Sequence, residues 1–201
     1  MVLLSFIDSL KSADNSILLW INSRHSDSLD AIMWNASDKL TWLPLYAIMA
    51  YLIIRKYGKA SWLPIIFVVI TIIMSDQLSS HLVKNIVMRY RPSHNINLQN
   101  RLHYVNNYVG GTYGFASSHA ANSAAFVFFM LMLFGKKYIM LLLFFYMGLV
   151  CYSRVYLGVH YPSDIVGGII IGIICVAITY NIYNYIDCKY ISKKVSADQA
   201  L

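Results

Sequence analysis

IVGGIIIGIICVAITYNIYNYI, Ile165–Ile186, runs for 22 residues without one Lys, Arg or Asp. Crossing about 30 Å of hydrocarbon takes about 20 residues at roughly 1.5 Å each, so this stretch is long and apolar enough to span a bilayer. Leu40–Ile54, Ala60–Ser75, Leu102–Gly135 and Tyr138–Ser153 are likewise free of Lys, Arg and Asp. The Leu102 stretch opens on a polar loop (His103, Asn106, Asn107, Gly110, Gly111), so its membrane part is expected from Phe115. The other three offer only 15 or 16 uncharged residues, about 24 Å of helix. Five such segments in one short chain favour helices whose charged ends dip below the interface because something there needs charge.

Composition agrees. Hydrophobic residues make up 58% of the 201 and charged residues 12%, against about 25% charged in a soluble domain. Glu is absent, so all nine acidic residues are Asp. Such a chain cannot clothe a soluble surface, and disorder, a coiled coil and a secreted disulfide scaffold are excluded with it. Sixteen Lys and Arg leave a net charge of +7, which in a membrane protein suits anionic headgroups or anionic substrates rather than nucleic acid. Cys151, Cys175 and Cys188 are too few for a disulfide framework and read as small hydrophobes. No basic stretch followed by a single apolar run and a small-residue cleavage site marks a signal peptide.

The first 39 residues are broken by Lys11, Asp14 and Asn15 between the apolar runs Val2–Leu10 and Ile17–Ile21. That pattern predicts a helix lying along, or partly in, the interface. From Ser28 to about Tyr57 one long helix is expected, kinked at Pro44. The predicted fold is therefore all-α: an integral membrane six-helix bundle of five clear spans plus the N-terminal helix. It forms a single membrane-embedded domain over 1–201, with an amphipathic helix over 1–27, the bundle over 28–188 and a basic tail over 189–201. Arg55, Lys56, Lys59, Lys136, Lys137, Lys189, Lys193 and Lys194 crowd short connections and the tail at one end, which is placed in the cytoplasm. Lys11, Arg24, Lys39, Lys84, Arg89, Arg91, Arg101 and Arg154 lie at the other.

Three charged clusters stand out. Lys84-Asn-Ile-Val-Met-Arg-Tyr-Arg91-Pro92 places two cations seven residues apart, two helical turns and about 10 Å along one side, with Pro92 ending the helix. Alone it could be a basic collar snorkelling to headgroups. Gly114-Phe-Ala-Ser117-Ser118-His119 opens an apolar run, the pattern of a helix N-terminus with spare N–H groups that suit an anion. Alone it could be a capped helix start with an incidental His. In Ser153-Arg154-Val-Tyr-Leu-Gly-Val-His160-Tyr-Pro162-Ser-Asp164, Pro162 is placed to start the last helix and Asp164 lies within reach of His160. Alone that pair could be structural. Helix parity puts all three clusters on one membrane face. Together they supply the cations Lys84, Arg91 and Arg154, helix N-terminal amides and two histidines, one beside a carboxylate. Those are the parts of a phosphoryl-transfer site. No Cys–His or multi-carboxylate set accompanies them, so no metal and no cofactor is expected.

K-x6-R-P at Lys84–Pro92, A-S-S-H at Ala116–His119 and S-R-x5-H-x3-D at Ser153–Asp164 resemble the type 2 phosphatidic acid phosphatase family, the lipid phosphate phosphatases. Ala116 and Ser118 stand where that family usually has Pro and Gly. The resemblance implies that His160 attacks phosphorus and forms a phosphohistidine, that Asp164 orients it, and that His119 protonates the leaving oxygen and later activates water. It further implies that Lys84, Arg91, Arg154, Ser117 and Ser118 hold the phosphate oxygens.

Outside the motifs, Asp76, Gln77, Ser79, Ser80 and His81 form a polar run within a membrane helix and read mainly as structural support. Asn122, one turn after His119, is placed evenly between substrate contact and none. The Asn95–Asn107 loop, with His94 and His103, reads as solvated, and Tyr and Trp as interfacial belts. The expected activity is metal-independent hydrolysis of a phosphomonoester or diphosphate on a membrane lipid, of the undecaprenyl diphosphate, lipid A or phosphatidylglycerol phosphate type. The expected location is a bacterial inner membrane, with the site on the periplasmic face and the lipid bilayer and substrate as partners. A phosphotransferase sharing the intermediate is the alternative, and a transporter a more distant one. A vanadium haloperoxidase shares the anion pocket but is soluble.

Overall fold

The computed structural model describes residues 2–191, with side-chain surroundings over 8–189. Met1 and the tail from residue 192, with Lys193 and Lys194, lie outside the described residues. The chain is all-helical: α1 (Val2–Asn22), α2 (Asp27–Ser37), α3 (Leu43–Tyr57), α4 (Trp62–Gln77), α5 (Lys84–Val87), α6 (Ser118–Phe134), α7 (Lys137–Tyr156) and α8 (Pro162–Ile186).

Among the described residues, three helices are long and apolar enough to cross a membrane: Trp62–Val87, Lys137–Tyr156 and Pro162–Lys189. The chain is an integral membrane protein. The span lengths differ from those read in the sequence. α6 starts only at Ser118, where the Ser117 side chain caps it, and has 17 residues, about 25 Å. The Ala60 stretch gains length because α4 passes through a π-helical turn (Leu78–Val83) into α5 and carries the polar run along inside one continuous helix. The single helix expected from Ser28 to Tyr57 is two helices. Asp38 takes extended backbone and ends α2, its carboxylate accepts the Leu40 amide, and Trp42 Nε1 donates to the Ala36 carbonyl across the break at 2.9 Å. Pro44 sits in the first turn of α3, where its missing N–H costs nothing, rather than at a kink.

α6 is the central helix. Ala120, Ala121, Ala124 and Ala125 are fully buried and face Gly168 and Gly172 of α8, so the two backbones touch, the close approach that small residues allow inside a membrane. α4 joins them through the paired Thr71 and Thr179 hydroxyls, 2.7 Å apart. Ile66, Val69, Ile70 and Ile73 of α4, Leu141 and Phe145 of α7, and Ile170, Ile174, Ile178 and Ile182 of α8 point outward as the apolar surface a lipid solvent favours. Tyr46, Tyr146 and Tyr183 pack inside the bundle instead of joining interfacial belts.

α1 is docked rather than merely laid on the surface: Asp14, Leu18 and Asn22 are buried against the rest of the chain. The Asn-rich loop is packed too. Leu98, Leu102 and Val105 are buried, Asn95 donates to the Tyr161 hydroxyl, and Asn22 bonds both the amide and the carbonyl of His103. His103 pairs with Asp30 at 2.7 Å, and Asp30 also accepts from the Tyr156 hydroxyl. Burial alone would raise the Asp30 carboxyl. The bonds from Tyr156 and His103 outweigh it and hold the group below its ordinary value.

Candidate functional site

The three clusters meet at one end of the bundle. α8 begins at Pro162, and Asp164 in its first turn reaches back so that its Oδ2 accepts the Tyr161 amide at 3.0 Å. This bond fixes the Asp164 carboxylate beside the 157–161 turn. His160 Nδ1 lies 3.4 Å from Asp164 Oδ2, an ion-pair distance outside hydrogen-bond geometry, and both side chains are at most 1% exposed. Neither ring nitrogen of His160 has a hydrogen-bond partner. Burial first, then the Arg91, Arg154 and Lys84 charges, push the imidazole well below its ordinary value and keep it neutral.

Arg91 reaches the site by a different route from the one its spacing suggests. The helix stops at Val87, four residues before Arg91, because Met88 turns left-handed. The chain then runs extended, and residues 89–91 pair antiparallel with 112–114. Arg91 N donates to the Thr112 carbonyl at 3.0 Å, Gly114 N to the Arg89 carbonyl at 2.8 Å, and Arg91 Nε to the Tyr113 carbonyl. This short ladder clamps the first cluster onto the second. Gly114 is needed in it, since a Cβ there would lie 2.8 Å from Asp164 Oδ2 and 3.2 Å from Arg91 Cγ.

Ser117 is fully buried; its hydroxyl accepts the Ala120 amide and its own N–H goes to the Asp164 carbonyl. The hydroxyl hydrogen is left free to donate. Ser118 and His119 form the first turn of α6. Arg154, 2% exposed at the end of α7, donates to the Ser37 hydroxyl and the Tyr108 hydroxyl, while its Nε and Arg91 Nη1 are buried without partners. Lys84 is half-buried at the start of α5.

Sequence reading missed several residues of this site. Arg89 bridges two carboxylates: Nη1 to Asp164 Oδ1 at 2.9 Å, and Nη2 to Asp14 Oδ2 of α1 at 2.8 Å. It also donates to Ser163 and lies 3.9 Å from the Tyr161 ring centre. Asp14 accepts from the amide and hydroxyl of Ser163. The N-terminal helix thus holds the far side of the carboxylate that faces His160. The clue was present in sequence, a lone Asp interrupting an apolar helix, but nothing local names its partner. Tyr108, edge-on to Trp34, lies beside Arg154 and Arg91. Burial raises its phenol, yet the two arginines outweigh burial and bring it below its ordinary range. Lys39 lines the same cavity of about 210 Å³ as His119 and Asn122. Among the described residues no three His, Cys, Asp or Glu side chains gather as a metal site.

His160 thus lies beside a buried carboxylate and in the field of three cations. Residues 62–188 match the family model described as the PAP2 superfamily. The chain belongs to the PAP2 superfamily. Its PAP2 relatives include a Bacteroides thetaiotaomicron protein named lipid A 4'-phosphatase, 34% identical over 83% of this chain and 75% of that one. A Porphyromonas gingivalis protein of the same name is 29% identical over 95% and 81%. Two solved structures share the PAP2 fold. Aquifex aeolicus LpxE has a TM-score of 0.64 at 24% identity, over 83% of this chain and 93% of that one. The Bacillus subtilis transmembrane PAP2 type phosphatidylglycerolphosphate phosphatase has 0.62 at 22%, over 89% and 88%. As a PAP2 protein the chain is a lipid phosphatase, a phosphoric ester hydrolase.

Proposed function

We propose that this chain is a single membrane-embedded domain that hydrolyses a phosphomonoester on a lipid of the lipid A type, through a phosphohistidine, on the periplasmic side of a bacterial inner membrane. One observation carries the reading. His160 Nε2, Arg91 Nη1 and Arg154 Nε are all buried polar atoms without partners at the same end of the bundle. Leaving such groups unsatisfied costs about 1–3 kcal/mol each, more for charged groups, so they call for a shared anionic partner. A phosphate has the charge and the acceptor oxygens for it. The names of the two bacterial relatives support a lipid A substrate over the polyprenyl and glycerophosphate alternatives. The six-helix, five-span arrangement belongs to the same reading, with α3 and α6 crossing as short helices beside the three longer ones.

Nδ1 faces Asp164, so the proton belongs on Nδ1 and the lone pair on Nε2, the atom that attacks. The new N–P bond forms as the P–O bond to the lipid breaks, and His119 gives its proton to the departing oxygen. Lys84, Arg91, Arg154, the Ser117 hydroxyl and the first amides of α6, Ser118 included, stabilise the equatorial oxygens. Water then attacks phosphorus, His119 takes its proton, and His160 leaves. The test is phosphate release from a panel of lipid phosphates in EDTA, with His160→Ala alongside. Release by wild type alone, blocked by vanadate, is expected. An active His160→Ala protein overturns the mechanism, and phosphate appearing on an added acceptor alcohol instead of free in solution identifies a phosphotransferase.

A further inference from the structure

The cavity beside His119 is lined by a residue that hydrolysis at phosphorus does not use. Asn122 follows His119 by one turn of α6 and lines the same cavity, together with Lys39, Trp42, Tyr46 and Ile72. Its Nδ2 donates to Asp76 Oδ1 of α4 at 2.8 Å. A carboxylate only accepts, so this bond fixes which way the amide points: nitrogen to Asp76, carbonyl oxygen away from it. That oxygen, Oδ1, is buried and has no partner. Asp76 heads the polar run at the end of α4, at the edge of the π-helical turn, within a membrane-spanning helix where an ionisable side chain is costly unless it serves a site. The pair therefore holds a fixed, unsatisfied acceptor beside the histidine that faces the leaving group.

We propose that Asn122 is a specificity-determining residue, held by Asp76, that accepts a hydrogen bond from a hydroxyl or amide N–H on the leaving group next to the scissile ester. The inference rests on the phosphatase reading and narrows its substrate class. Sugar- and polyol-linked lipid monophosphates carry such a donor. A polyprenyl phosphate has only hydrocarbon there. A polyprenyl diphosphate puts a second anion there, against an amide oxygen backed by a carboxylate. A buried acceptor left unpaired penalises the analogue that lacks the donor, so selectivity of ten- to about a hundredfold in kcat/KM is expected.

The test uses the full-length enzyme in detergent with two probes differing by one hydroxyl: 1-oleoyl-glycerol 3-phosphate and its 2-deoxy analogue. Wild type is expected to prefer the hydroxylated probe at least tenfold. In Asn122→Ala the ratio falls towards one, because activity on the hydroxylated probe drops far more than on the deoxy probe. Asp76→Asn frees the Asn122 amide to turn over, so an intermediate ratio is expected, and this second variant keeps the test open should Asn122→Ala misfold. Equal losses on both probes assign Asn122 to structure and overturn the proposal, as does a wild-type ratio near one. Hydrolysis of neither probe also overturns it, while the phosphatase reading is decided separately by the lipid panel and His160→Ala.

Discussion

Replacing Gly168 by Ala adds one methyl group where the two central helices touch. A Cβ at Gly168 would lie 3.0 Å from the Ala120 Cβ, 3.1 Å from the Ala121 amide nitrogen and well inside 3.0 Å of the Ser117 carbonyl oxygen. Real Cβ contacts essentially never fall under 3.0 Å, and two of these neighbours are backbone, which cannot turn aside. α6 and α8 must therefore part by about half an ångström or more, since close-packed interiors transmit strain. The wedge falls where it matters, because Ser117 caps the helix that carries His119 and its N–H is bonded to the carbonyl of Asp164. Overpacking of this kind costs about 1–3 kcal/mol of stability. A misplacement approaching 1 Å costs about a hundredfold in rate, so kcat should fall ten- to a hundredfold. Gly172→Ala, one turn further on, meets the Ala121 carbonyl at 2.5 Å. It should lower thermal stability similarly but kcat less, being further from the site. Gly148→Ala on α7 meets nothing within 4 Å and is the control. Phosphate-release kinetics and thermal unfolding in detergent read both quantities. Wild-type turnover and melting temperature in Gly168→Ala would refute the argument.

Other expectations rest on single groups. Arg89→Ala strips Asp164, 0% exposed, of its ion-pair partner; with Arg89 itself 27% exposed, a loss near the lower end of the 3–5 kcal/mol range, about 3, is expected in unfolding, with reduced kcat. Arg89→Lys should restore little, because a point charge cannot bridge Asp14 and Asp164 as the planar fork does. Asn22→Ala leaves the His103 amide and carbonyl and the Tyr156 carbonyl without their partner; a stability loss of about 2 kcal/mol or more should follow, visible as earlier unfolding and faster proteolysis of the 95–107 loop. EDTA should leave phosphate release unchanged, and a rate that EDTA abolishes and added metal restores would contradict the cation set assigned to phosphate.

The loop and the N-terminal helix show where sequence reading gave out. Asn and His between Asn95 and Asn107 look solvated one by one, yet Leu98, Leu102 and Val105 anchor that loop through contacts with residues far away in the chain. Asp14 looks like a defect in an interfacial helix until Arg89 and Ser163, which lie 75 and 149 residues on, are brought beside it. Arg91 reads in the sequence as a candidate site residue, but its route to the cluster does not, since the left-handed turn at Met88 carries no signature in the side chains around it.

Apolar run lengths by themselves determined a helical membrane protein, because a bilayer leaves a backbone few other ways to satisfy its hydrogen bonds. The spacing within three short motifs, read with helix parity, determined that their charges share one end of the bundle, and the motifs pointed to the family. Tertiary structure alone decided how α1 reaches Asp164 through Arg89, which buried atoms stay unpaired, and which way the Asn122 amide faces. Those are contacts between side chains remote in sequence. Their partners depend on how closely α6, α8 and the loop pack, and periodicity along one strand of sequence carries no record of that distance.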